Sequence, residues 1–198
     1  MAKPAWSTVD PEYGSNDATI NVSGAEHTGR SQRSGAATVK ATDVTDKYVN
    51  MVQTGQPEFV AIDNISAPKA GGSVTLTGTS NSAKLSFALG AGDISITLPP
   101  SYLAAGASTN NNTNIAGDPG DVSEYSFSLT VTVPENMTTG TKTRIITVTA
   151  NGGQAASATI TQAAGDPYLT VTPTTITLDW TGAAQTFTIE SNTNWTIE

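Results

Sequence analysis

The chain repeats itself, and the repeat limits what it can fold into. The stretch Met51-Val52-Gln53-Thr54-Gly55-Gln56-Pro57-Glu58-Phe59-Val60 returns as Ile160-Thr161-Gln162-Ala163-Ala164-Gly165-Asp166-Pro167-Tyr168-Leu169. Gln53 aligns with Gln162, Pro57 with Pro167 (one residue of slack) and Phe59 with Tyr168. Upstream, Ile20-Asn21-Val22 matches Val131-Thr132-Val133, and Gly29-x3-Arg33 matches Gly140-x3-Arg144. Downstream, Gly71 matches Gly182, Leu76 matches Phe187, and Ser80-Asn81-Ser82 matches Ser191-Asn192-Thr193. Self-similarity at a fixed period dictates architecture. The period here is about 110 residues, the size of one immunoglobulin-like sandwich.

Each repeated stretch reads as the last strand of one β-domain, a polar hinge, and the first strand of the next. The expected fold class is therefore all-β: immunoglobulin-like β-sandwich repeats, one complete module flanked by two half modules. Residues 1–55 form the back half of a sandwich, 56–166 a complete one, and 167–198 the front half of another. Alternation of apolar and polar residues supports this, since a period of two places one apolar face on a core. In the first segment the strands are Ala18/Ile20/Val22, Ala37/Val39/Ala41 and Tyr48 to Val52. In the middle they are Val74/Leu76, Leu85/Phe87/Leu89, Ile94/Ile96/Leu98, Tyr125 to Val133, Ile146/Val148 and Ile160, with a hairpin at Asn151-Gly152-Gly153. Pro99-Pro100 blocks further pairing and launches a Gly-, Asn- and Thr-rich insert near 104–121, expected to be mobile or an interaction loop. The last segment offers Leu169/Val171, Ile176/Leu178, Phe187/Ile189 and Trp195/Ile197.

Composition narrows the partners. The chain is rich in Thr, Ser, Ala, Gly, Val and Ile and poor in charge, which suits short strands rather than long helices. A formal net charge of −8 disfavours nucleic acid and anionic membrane, which require a basic surface. With no cysteine, no disulfide can staple the sandwich. The start, Met1-Ala2-Lys3-Pro4-Ala5-Trp6, holds no apolar run and no cleavage site, so no export signal is expected.

The Gly-x3-Arg before a Val/Thr strand and the strand closing in Gln-Ala-Ala-Gly are followed by Leu169-Thr170-Val171-x-Pro173, the turn at Thr181-Gly182, and Ser191-Asn192-Thr193-x-Trp195. Together they resemble the BACON module, an immunoglobulin-like sandwich of gut Bacteroidetes surface proteins and of crAss-like phages. Residues 168–198 resemble the front of the family pattern. The first 55 resemble its back, with Trp6 at the second tryptophan. The middle copy departs, with Lys84 near the expected Trp and the insert after Leu98. The resemblance implies core positions for Trp6 and Trp195 and no catalytic residues. With no export signal expected, it also implies a structural protein of a virion made in the host cytoplasm, in contact with a capsid or tail protein; the alternative it leaves open is a carbohydrate- or mucin-binding module of a bacterial surface protein.

A half sandwich leaves its apolar face and strand edges unpaired. Each half would expose several large side chains, at roughly 1.5–3 kcal/mol apiece. A sandwich with an odd number of strands takes the chain in at one pole and releases it at the other. Linkers of a few residues, at about 3.4 Å each, cannot run back along it. The front half of one subunit is therefore expected to accept the back half of the next, in a head-to-tail homo-oligomer that closes as a ring or runs on as a filament. A piece of a longer protein would present the same two halves.

No residue pattern points to catalysis, a cofactor or a metal. The single histidine, His27, stands in a polar stretch with no nucleophile beside it and is expected to be an exposed turn residue. The carboxylate groups Asp10/Glu12/Asp17 and Asp118/Asp121/Glu124 sit in turns where Asp serves local backbone hydrogen bonds; the second lacks EF-hand spacing. Trp180, in the turn Asp179-Trp180-Thr181-Gly182, and Tyr102, at the root of the insert, are the candidate partner or glycan contacts. Protein contact is the favoured reading of both.

Overall fold

The computed structural model describes residues 3–198; Met1 and Ala2, part of the stretch read for an export signal, lie outside the described residues. Among them the regular structure is β-strand apart from one short 3-10 turn. In chain order the first segment gives β1 (Ser7–Asp10), β2 (Asn21–Gly24), β3 (Arg33–Val39) and β4 (Lys47–Gln53). The middle gives β5 (Val60–Ile62), β6 (Ile65–Ala67), β7 (Gly72–Ser80), β8 (Leu85–Gly92), β9 (Ser101–Ala104), β10 (Ala107–Asn110), β11 (Tyr125–Val133), β12 (Lys142–Ala150) and β13 (Ala155–Gln162). The last segment gives β14 (Leu169–Thr172) and β15 (Thr188–Ser191).

Residues 60–162 form a two-sheet sandwich. One sheet runs β10-β9-β11-β7-β5 and the other β6-β13-β12-β8, an order compatible with the immunoglobulin layout. The entering chain crosses between sheets at Asp63-Asn64. There Asp63 N–H donates to Thr77 O at 3.0 Å, and Asn64 Oδ1 accepts from Thr159 N–H at 2.7 Å. After the crossing β6 pairs in parallel with β13, Ile65 opposite Ile160, while the other ladders are antiparallel.

The alternating residues meet between the sheets. Leu76, Leu85, Leu129, Ile146, Val148 and Ile160 are fully buried. The Phe87 ring lies 4.8 Å from that of Tyr102 and 5.7 Å from that of Phe127, within the range of favourable aromatic pairs. Gly153 takes φ of +86° in the expected hairpin, closed by Ala150 N–H on Gln154 O.

Three expectations change. Leu89 is exposed although it stands opposite the buried Ile146, at the edge strand of its sheet, where no further strand among the described residues covers it. Ile94 to Leu98 buries Ile94 but forms no ladder. Its start is tied to Thr143 O by the Asp93 and Ile94 N–H groups at 2.8 and 3.2 Å, and by side chains: Arg144 Nε donates to Ile94 O at 2.8 Å, and Asp93 Oδ1 accepts from Thr143 N–H at 2.7 Å. The insert is built into the sandwich, with β9 and β10 extending the β11 sheet. Asn111 then mimics a strand residue, accepting from Phe87 N–H at 2.8 Å and donating to Phe87 O at 3.0 Å, and Ile115 is buried.

The end segments form hairpins only: β1 with β2, β3 with β4, and β14 with β15. Ile176/Leu178 and Trp195/Ile197, expected as strands, are not in ladders, since no neighbouring strand among the described residues offers them hydrogen bonds.

Truncating a fully buried leucine creates a cavity, so Leu76→Ala is expected to lower stability by about 2–5 kcal/mol. Leu89→Ala, at an exposed site, should stay within about 0.5 kcal/mol. Urea unfolding of both variants checks this.

Candidate assembly surfaces at the two seams

The repeated Ser-Asn-Ser/Thr turns carry the joints between segments. At the first, Asn81 Oδ1 accepts from Phe59 N–H at 2.9 Å, and its Nδ2 reaches Thr28 O at 3.3 Å and Pro57 O at 3.2 Å. Ser80 Oγ donates to Phe59 O at 2.6 Å. The second joint repeats this. Asn192 Oδ1 accepts from Tyr168 N–H at 2.9 Å, its Nδ2 donates to Met137 O at 2.8 Å and Asp166 O at 2.8 Å, and Ser191 Oγ donates to Tyr168 O at 2.9 Å. In each case one amide side chain ties the opening of a new strand to a carbonyl of the preceding segment. The sequence repeat contained this signal, but pattern alone gave the turn no task.

The first joint is the more elaborate because the insert joins it. Arg30 Nη1 donates to Asn81 O at 2.7 Å, and Nη2 pairs with Asp118. The hydrogen bond to Asp118 is the main cause of a pKa raised above the usual guanidinium value. Arg30 N–H and Ser31 N–H donate to Gly120 O and Asp121 O at 2.9 and 3.0 Å, and Ser31 Oγ donates to Asp121. The backbones approach so closely that a Cβ at Gly55 would lie 1.9 Å from Arg30 O, and one at Gly165, in the second joint, 2.2 Å from Asn136 O. Asp118 and Asp121 are thus spent on the joint. His27 is half-buried there rather than fully exposed, its Nε2 donating to Ser31 O at 2.6 Å.

The joints lie at opposite poles. Val60 opens β5 beside Ser80, where β11 begins. The exit past Gln162 lies near Lys69, Pro134 and Asn136, where β11 has ended. The nine residues of β11 span roughly 30 Å at about 3.4 Å each.

Beyond the joints, several positions buried in the middle sandwich are exposed in the halves, although Met51, the counterpart of Ile160, stays buried. Val131 and Val133 are 2% and 1% exposed, while their counterparts Ile20 and Val22 are 45% and 53% exposed. Leu76 is at 0% and its counterpart Phe187 at 43%. Between the two hairpins of the first segment runs a cleft of about 410 Å³ lined by Trp6, Val22, Val49 and Met51.

The candidate contact residues separate. Trp180 is 97% exposed on an Asp-stabilised turn, where Asp179 Oδ1 accepts from Thr181 N–H at 2.9 Å. The Thr181 hydroxyl bond, ahead of that backbone bond, holds the Asp179 pKa below its usual value. Tyr102, read as a surface contact, is 3% exposed and packs on Phe87, so it is a core residue; burial raises its phenol pKa. Its position follows from β9 joining the sheet, which the insert's composition concealed. Trp195, expected in a core, is half exposed, and Trp6 is half-buried under Arg33, whose Cζ lies 4.9 Å from the ring centroid.

Comparison with sequence families and with curated proteins gives no match. Among solved structures the chain is similar to a protein from Bacteroides thetaiotaomicron determined by NMR, at 16% identity over 51% of this chain and 75% of that one, with a TM-score of 0.26. It is also similar to domains 4–9 of the surface layer protein SbsC, at 14% identity over 78% of this chain and 21% of that one, with a TM-score of 0.34. At these identities and TM-scores neither likeness assigns this chain a function.

Asn81 is fully buried, and its loss strands several backbone groups. Asn81→Ala should cost about 1–3 kcal/mol and speed hydrogen exchange at the Arg30 and Ser31 amides. Unchanged exchange there would mean that Asn81 does not hold the joint.

Proposed function

We propose that this chain is a non-enzymatic structural protein of a phage particle, built from BACON-like sandwiches: an auxiliary capsid or decoration protein, or a fibre or tail component. In this reading it is made in the host cytoplasm and contacts a capsid or tail protein. Its own copies assemble head to tail, each supplying the half module its neighbour lacks.

The observation that carries the assembly is surface area. A compact monomer of 20.3 kDa exposes about 8,800 Å² by the usual scaling, whereas this chain exposes 12550 Å². The excess, roughly 3,700 Å², falls in the range of obligate subunit interfaces. Apolar side chains contribute to it at both ends, at positions the middle sandwich buries. The phage assignment rests on the family resemblance.

A second reading, a carbohydrate- or mucin-binding module of a bacterial surface protein, is favoured by Trp180, whose exposed ring could stack on a sugar.

In light scattering the purified chain is expected at a multiple of its monomer mass; a monodisperse monomer with both ends ordered overturns the assembly. On a glycan array the chain should be blank and should instead co-purify with a capsid or tail protein. Specific binding abolished by Trp180→Ala would select the carbohydrate reading.

A further inference from the structure

The repeat and the middle sandwich together set the register in which two copies would join. In the middle sandwich β7 and β11 pair with Thr75 opposite Thr130, and their hydroxyls meet at 2.9 Å on the outer face. The repeat maps Thr75 onto Thr186 and Thr130 onto Thr19, so both threonines recur, one in each half module. Their inward neighbours recur as apolar residues: Leu76 as Phe187, and Val131 as Ile20.

The edge needed for this pairing is free. Along an antiparallel strand the N–H and C=O groups of alternate residues face opposite edges. Ala105 N–H donates to Ser126 O, so the even-numbered residues of β11, Thr132 among them, face β9. Ala25 N–H donates to Trp6 O, so the odd-numbered residues of β2, Asn21 among them, face β1. Asn21 is the counterpart of Thr132. Hence β1 occupies the edge that β9 takes in the middle sandwich. Among the described residues, nothing pairs with the edge that β7 would take. The other sheet agrees. Ile65 opposite Ile160 maps onto Ile176 and Met51, and Met51 lines the apolar cleft.

We propose that residues 183–187 of one copy pair antiparallel with residues 18–22 of a second copy, Thr186 opposite Thr19, while Phe187 and Ile176 of the first copy fill the cleft lined by Val22 and Met51 of the second. The occupant is a second copy because the two halves carry complementary positions of one module. They are also held at opposite poles of the same chain, which prevents them from meeting within it. This inference rests on the head-to-tail reading and adds the register to it.

The chain has no cysteine, so cross-linking reports the register directly. Thr19 and Thr186 are exposed, and a directly opposed pair of this kind has the spacing a disulfide needs. Thr19→Cys and Thr186→Cys chains, mixed and oxidised, are expected to give a disulfide-linked dimer, at least ten-fold more than either alone. Thr188→Cys, two residues along the same outer face, should replace Thr186→Cys poorly. Oligomers by light scattering without the Thr19–Thr186 link, or with preference for Thr188→Cys, overturn the register and leave the assembly reading standing. Monomers with no cross-link overturn both. A link within one chain of the Thr19→Cys/Thr186→Cys double variant overturns the choice of a second copy.

Discussion

An apolar sheet face in water must be covered, and that demand organises this molecule. In the middle sandwich two sheets cover each other, and the alternating residues of β7, β11, β12 and β13 close a dry core around Leu76, Leu129, Ile146 and Ile160. In the end segments the same alternation is present without the opposing sheet. The difference in exposure between Val131 and Ile20, or Leu76 and Phe187, is therefore one of partner rather than of residue type.

The joints turn this arrangement into a directional object. Each uses a buried or half-buried asparagine whose amide bonds to the strand it opens and to the segment before it. The first adds Arg30, with donors to Asn81 O and Asp118, so that the insert is clasped to the preceding segment. The groups paired here favour one geometry, since an alternative docking would leave them unpaired. The acidic turn at Asp118 and Asp121 is better understood as part of this clasp than as a binding site.

Much of the fold was legible in the sequence because a period of two over β11 or β7 admits few alternatives, and because the repeat supplied the domain-scale layout. Where the reading failed, a side chain had replaced a backbone partner. Beside two backbone bonds to Thr143 O, the Arg144 and Asp93 side chains bond Ile94 O and Thr143 N–H in place of a ladder, so a strand-like pattern is not a strand. Asn111 bonds both backbone groups of Phe87, so a polar, loop-like insert is part of the sheet and carries Tyr102 inward. Short strands also depend on neighbours, which is why Ile176/Leu178 and Trp195/Ile197 alternate correctly yet form no ladder. The joint residues were visible as a repeat, but which carbonyls Asn81 and Asn192 reach depends on contacts distant in sequence.

The parallel pairing of β6 with β13 carries a mechanical consequence. The chain enters the sandwich at one pole and leaves at the other. Tension applied along the molecule therefore pulls these two adjacent strands past each other lengthwise. The ladder from Ile65 to Ala67 is loaded in shear, all of its bonds sharing the force, rather than unzipped one at a time. Pulled from its two ends, the sandwich would load this short ladder together with that of β5 on β7, which lies nearer the entering chain, while β13 passes part of the load to β12.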